Sequence, residues 1–129
     1  MPTIAMHALH YFACIHQAWL NLPEEMADQF PTEEHLRAYA LIKTGYCDSN
    51  TLVCSSKAEA QRTAAFLKPI DSFAVVTVKD NVVIRYSAQS QSMRAMNRDD
   101  FQRSKEAVLD IISAMTKTSR KELEASQPA

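Results

Sequence analysis

The chain has 129 residues, 47% of them apolar and 22% charged, with a formal net charge of −1, which is enough to bury one core without disulfide or metal staples. A single glycine, Gly45, against an ordinary usage of about 7%, excludes phosphate-cradling loops, dinucleotide fingerprints and nucleophile elbows, all of which need glycine where backbone meets ligand. Three cysteines without CxxC spacing (Cys14, Cys47, Cys54) argue against a disulfide framework or a zinc ribbon, and neither a leader pattern nor an apolar run of roughly 20 residues is found; a cytoplasmic protein with reduced thiols is expected.

Between His7 and Asn21 the apolar residues Leu9, Phe12, Ala13, Trp19 and Leu20 recur near helical spacing until Pro23 stops the pattern, which predicts a first helix. Pro31 and Thr32 open a second, with Glu33 and Glu34 in its first turn, Leu36, Tyr39 and Ala40 on one face, and Gly45 as its C-cap. Residues 51–54 read as a short strand entered from the turn Asp48, Ser49, Asn50. A third helix follows, announced by Ser56 and Glu59 as a capping box, striped by Ala60, Ala64 and Leu67, and ended by Pro69.

Residues 73–78 and 82–86 are β-rich runs joined by Lys79, Asp80 and Asn81, a tight hairpin. Both are apolar on both faces, so helices or a second subunit should cover them. Asn97 is placed to cap a last helix, with Asp99 and Asp100 in its first turn and Phe101, Ala107, Val108, Ile111, Ile112 and Met115 near one face. The expected fold is α+β, with about four helices on a small, mainly antiparallel sheet containing a hairpin at 73–87. One domain is expected over 1–118, with a frayed tail at 119–129.

Charge is unevenly spread. Residues 1–50 hold two basic groups (Arg37, Lys43) against six acidic ones, whereas residues 51–129 hold twelve against nine. A modest basic patch gathers Lys79, Arg85, Arg94, Arg98, Arg103 and Lys105. Within it the run from Ser87 to Arg98 is rich in hydroxyls and amides (Ser87, Gln89, Ser90, Gln91, Ser92) at a strand-to-helix junction. Such groups donate to phosphate while Arg94 and Arg98 supply charge, and Tyr86 is placed to stack on an unpaired base. Asp99 and Asp100 already occupy the helix dipole, so contact would come from the loop and its flanking arginines.

Catalytic constellations are missing. The carboxylate pairs Glu24/Glu25, Glu33/Glu34 and Asp99/Asp100 are adjacent in sequence, which on a helix turns the two groups about 100° apart. His7, His10 and His16 share a helix with Cys14 without a spacing that forces them to one side, so they read as surface or packing residues, and no cofactor or metal is expected. The cysteines read as small apolar residues rather than nucleophiles.

Three stretches carry a family resemblance: HYFACIHQAWLNLPEE at 10–25, HLRAYALIKTGYCDSNTLVCSSKAEAQRTAAFLKPID at 35–71, and YSAQSQSMRAMNRDDFQRSKEAVLDII at 86–112. Together they resemble uncharacterised prophage proteins and, more distantly, the NinB (Orf) type phage recombination proteins, through the aromatic-Ala helix and the Ser-x-Ser-Met-Arg turn before Phe101. The resemblance implies an α+β homodimer that binds single-stranded DNA and assists a phage annealing protein or a host single-strand-binding protein in homologous recombination. It places DNA-facing groups at Ser90, Ser92, Arg94 and Arg98, with His10 near the first helix, beside the patch residue Arg85.

Related chains carry an N-terminal β segment and a more basic approach to the first helix, where this sequence has His7, Ala8 and Leu9. That departure sustains a second reading, a small inhibitor or adaptor of the anti-CRISPR kind. Its acidic residues Glu24, Glu25, Asp28, Glu33 and Glu34 would then dock on the basic channel of a host defence complex.

Overall fold

A computed structural model describes residues 4–92 and 95–125. The elements run α1 (Ile4–Leu20), α2 (Glu24–Ala27), α3 (Glu33–Lys43), β1 (Cys47–Val53), α4 (Lys57–Leu67), β2 (Val75–Lys79), β3 (Val82–Ala88), α5 (Arg98–Thr116) and α6 (Arg120–Ala125). The class is α+β, with a three-stranded antiparallel sheet in the order β1-β3-β2. The hairpin turns on Asp80 and Asn81, with Asp80 at φ 55, the left-handed backbone that aspartate tolerates better than most side chains. Strand β3 runs past the expected Tyr86 through Ala88, because it pairs along its whole length with β1.

The helix caps follow local chemistry. Thr32, Ser56 and Asn97 each accept the backbone N–H three residues on, from His35, Glu59 and Asp100. The Ser56 box is half made, since the Glu59 carboxylate takes the Ser55 hydroxyl instead. Gly45, at φ 92, reverses the chain after α3: its N–H reaches the Ile42 carbonyl at 3.2 Å and that of Tyr46 reaches Leu41 at 2.9 Å. This pair of bonds is a Schellman closure, where a Cβ would be strained. At the end of α5 the left-handed residue is Lys117, at φ 55.

Two cores form. The larger joins Tyr11, Cys14, Ile15 and Ala18 of α1, Leu36, Ala40 and Leu41 of α3, Val108, Leu109 and Ile112 of α5, with Phe30 and Leu123. The smaller, beneath α4, holds Cys54, Ala60, Ala64 and Val83 with Leu67, Val76 and Val78 at its rim. Helix α4 thus covers one face of the hairpin, while α3 and Tyr39, Tyr46 and Ala88 link the sheet to the helical core.

Three expectations change. The residues that announce α1 are not those it buries: the i, i+3, i+4, i+7 stripe Tyr11, Cys14, Ile15, Ala18 faces the core, while Phe12 and Leu20 are exposed. The expected turn Asp48, Ser49, Asn50 is instead part of β1, and a short helix, α2, follows α1 from Glu24, where Trp19 Nε1 donates to the Phe30 carbonyl at 2.8 Å to hold the segment against α1. Over 120–125 the tail is helical, and one apolar side chain explains why. Leu123, 1% exposed, is enough to dock a six-residue helix that would not be stable alone. Leu123→Ala should lower stability by about 2–4 kcal/mol, seen as a lower urea midpoint at unchanged slope; an unmoved midpoint would mean that α6 is undocked.

Candidate functional site

Strand β3 ends at Ala88, and the polar run that follows crosses the seam between the two cores. Its backbone leaves the sheet with Gln89 N–H on the Tyr46 carbonyl, at 3.0 Å. Gln91 then turns inward. Its Oε1 accepts from the Tyr11 hydroxyl of α1 at 2.9 Å and from Arg37 Nη1 of α3 at 2.8 Å, and its Nε2 donates to Ser104 Oγ of α5 at 2.9 Å. The Ser104 hydroxyl donates in turn to the Phe101 carbonyl at 2.8 Å. One side-chain amide therefore ties the loop to three helices and leaves no buried polar atom unpaired among the described residues.

Beside this pin a groove of about 430 Å³ lies between α3 and the end of β3, lined by Glu34, Arg37, Asp71, Phe73, Ser87 and Ser90 among others. Phe73 is its aromatic wall. The ring is 47% exposed and stacks on His35 with centroids 4.1 Å apart and planes 13° apart. His35 is itself held at both ring nitrogens, by the Thr32 hydroxyl at 2.7 Å and the Ser72 hydroxyl at 2.8 Å. A neutral ring satisfies both by accepting at one nitrogen and donating at the other. Arg37 lies over the exposed ring of Phe12, 5.5 Å from its centroid.

The groove is close to electrically balanced. Arg37 is forked onto Glu34, with Nη2 to Oε2 at 2.6 Å, and Arg85 donates to Asp71 at 2.5 Å. Arg103 pairs with Asp100 at 3.0 Å and Lys105 is buried, so the basic patch read along the sequence does not present one cationic surface. Of the proposed contact residues, Ser90 lines the groove and Arg85 sits beside it through Asp71. Ser92 is exposed, but its hydroxyl accepts the Ala95 N–H at 3.2 Å and shapes the turn. Arg98 is exposed at the first position of α5, and Arg94 lies outside the described residues.

His10 is exposed on α1, its Nε2 3.9 Å from Cys14 Sγ, and is not part of the groove lining. Tyr86 is half-buried in a separate hollow with Ile42, Lys43, Val75 and Thr77 and is not part of the groove lining. Among the acids of the second reading, Glu33 is bound to His16 at 2.5 Å and Glu34 to Arg37, while Glu24, Glu25 and Asp28 are exposed on and after α2. Among the described residues no three His, Cys, Asp or Glu side chains converge as metal ligands.

Sequence reasoning missed Tyr11, Phe73 and Ser104, and read Arg37, His35 and Gln91 only as parts of longer patterns. One signal was available: Ser104 lies three residues after Phe101 and four before Val108, a polar side chain on an apolar stripe that needs a buried partner. Nothing local separates Gln91 from Gln89. No protein-family model matches the chain, nor does any curated protein or solved structure.

Burial pushes the Tyr11 phenol up from 10.0 to about 12, against the pull of the Gln91 bond and of Arg37, with Glu34 adding to the rise. The folded chain thus holds this proton more tightly than the unfolded one. Its stabilising contribution is complete below pH 10 and is lost as pH climbs toward 12. Against Tyr11→Phe, the wild type should lose about 1 kcal/mol more between pH 9 and pH 11, measured by urea unfolding at each pH. Gln91→Leu, which removes the acceptor of the buried Tyr11 hydroxyl, should cost about 1–3 kcal/mol in the same assay at neutral pH.

Proposed function

We propose that this chain is a phage-type accessory protein that binds single-stranded DNA in the α3–β3 groove and assists homologous recombination without catalysing a reaction. The observation that carries the reading is Phe73, a half-exposed ring backed by an immobilised His35, beside arginines and the hydroxyls of Ser87 and Ser90. A flat platform with hydrogen-bond donors and cations within one groove suits an unpaired base with its phosphate. Stacking of one base is worth about 1–3 kcal/mol.

The carboxylates beside the arginines do not defeat this. Partly exposed ion pairs such as Arg37–Glu34 are worth about 0–1 kcal/mol, so either guanidinium can exchange its carboxylate for a phosphate at small cost. What the carboxylates do is reduce counterion release, which makes affinity modest and its salt dependence shallow. The likeness of residues 86–112 to phage recombination proteins supplies the cellular setting, with an annealing or single-strand-binding protein as the expected partner.

The test is fluorescence anisotropy of a labelled single-stranded oligonucleotide at several salt concentrations. Phe73→Ala should weaken binding about tenfold, within the range of one lost base stack. Glu34→Gln combined with Asp71→Asn should tighten binding and steepen the logarithmic salt slope by about 0.7 for each arginine released. Failure of the wild-type protein to bind at low salt would overturn the reading.

A further inference from the structure

A second, smaller hollow shares Phe73 and Ala74 with the groove. About 130 Å³ in volume, it is lined by Gln29, Phe30, His35, Tyr39, Ser72 and Val75 among others. Its aromatic and aliphatic walls, and a size of roughly four water volumes, suit a short acyl group. Within it a hydroxyl lies against an imidazole. Ser72 Oγ is 2.8 Å from His35 Nε2, and His35 Nδ1 is 2.7 Å from Thr32 Oγ1. A nucleophile within reach of a base, with a third group orienting that base, is the arrangement that activates a serine. Ser72 lies 37 positions beyond His35, so no spacing in the sequence announces the pair.

Both partners are held in place. Thr32 Oγ1 accepts the His35 backbone N–H as the cap of α3, which keeps its oxygen against the ring. In the tautomer carrying Nδ1–H that oxygen accepts the ring proton too, and the Nε2 lone pair faces the Ser72 hydroxyl. Phe73, stacked on the ring at 4.1 Å, restricts its rotation. The turn that carries Ser72 is built on Asp71: Oδ1 accepts the Phe73 N–H at 3.0 Å, the carbonyl accepts the Ala74 N–H at 3.2 Å, and Oδ2 takes Arg85 at 2.5 Å. Ser72 is exposed, so a carbonyl carbon can reach its Oγ. The backbone N–H of Ser72 and the side-chain amide of Gln29 make no hydrogen bond among the described residues, and they are the donors at hand for a developing oxyanion.

We infer that Ser72 and His35 form a nucleophilic dyad that cleaves short-chain carboxylic esters, with Thr32 as the positioning residue. In the first step Ser72 Oγ bonds to the ester carbonyl carbon while its proton passes to His35 Nε2. The bond from that carbon to the alcohol oxygen then breaks, and His35 returns the proton to the departing alcohol. In the second step a water oxygen bonds to the acyl carbon as its proton passes to His35. The Ser72 oxygen leaves and regains that proton, which releases the carboxylic acid and restores the dyad. Water is the only co-reactant. While it holds the proton, His35 donates from both nitrogens, to Thr32 and to the reacting oxygen. Thr32 offers a neutral oxygen where Ser-His-Asp triads place a carboxylate, whose loss costs about 10⁴ in kcat there, so turnover is slow and acylation is the sharper readout. This activity is additional to the accessory role and does not depend on what the α3–β3 groove binds.

An alkyl fluorophosphonate incubated with the purified chain should phosphonylate Ser72, with loss of fluoride, and peptide mass spectrometry locates the adduct. Ser72→Ala, a change at an exposed position, should remove the label with the circular dichroism spectrum unchanged. With p-nitrophenyl acetate, the same variant should reduce nitrophenolate release to the uncatalysed rate, and His35→Gln should slow it about 100-fold, the lower end of what a general base contributes. Thr32→Gly sustains a helix cap almost as well as threonine but offers Nδ1 no oxygen. It should slow labelling about tenfold in a folded protein, and Thr32→Ser should restore the rate. The inference would be overturned by the absence of any adduct, by an adduct confined to another residue, or by ester cleavage as fast in Ser72→Ala as in the wild type.

Discussion

The side-chain amide of Gln91 is the contact on which the rest of this architecture depends. A buried amide with an unpaired oxygen or nitrogen costs about as much as a lost hydrogen bond or more. Here its oxygen takes donors from α1 and α3 and its nitrogen donates to α5. The three helices enclosing the larger core are thus fixed relative to the strand that carries the loop. Arg37 has a double task, giving one nitrogen to Gln91 and others to Glu34, so the groove inherits its geometry from the pin beside it.

That pin lies where two cores meet. The helical core and the cluster beneath α4 are joined mainly through α3 and the end of β3, and the groove occupies the seam. Seams of this kind place polar side chains near apolar walls without burying them fully, as with Phe73 against His35. The groove is therefore framed by secondary-structure elements on both sides, while the charged pairs at its rim are weak enough to be exchanged.

Much of the fold was legible because its signals are local. Ser56, Thr32 and Asn97 cap helices where their short polar side chains meet N-terminal N–H groups, Gly45 ends α3 where a positive φ is required, and Asp80 and Asn81 turn the hairpin. The inward face of α1 was misjudged because Phe12 and Leu20 are as apolar as the residues it buries; only contact with α3 and α5 selects Tyr11, Cys14, Ile15 and Ala18. The helix at 120–125 was not foreseen because its one large apolar residue, Leu123, carries no periodicity to read.

For the candidate site the balance is reversed. The polar strand-to-helix junction is visible in the chain, yet its composition suggested a cationic surface, and the structure pairs Arg85, Arg37 and Arg103 with carboxylates. By itself the sequence determined the four longer helices, the hairpin, the α+β class and the exclusion of glycine-built phosphate loops, since caps, turns and periodicity act within a few residues. Which glutamine turns inward, which arginines are neutralised, and the meeting of Phe73 with His35 were decided only by the tertiary structure. Those contacts join residues tens of positions apart, and no local rule of spacing distinguishes them from their neighbours.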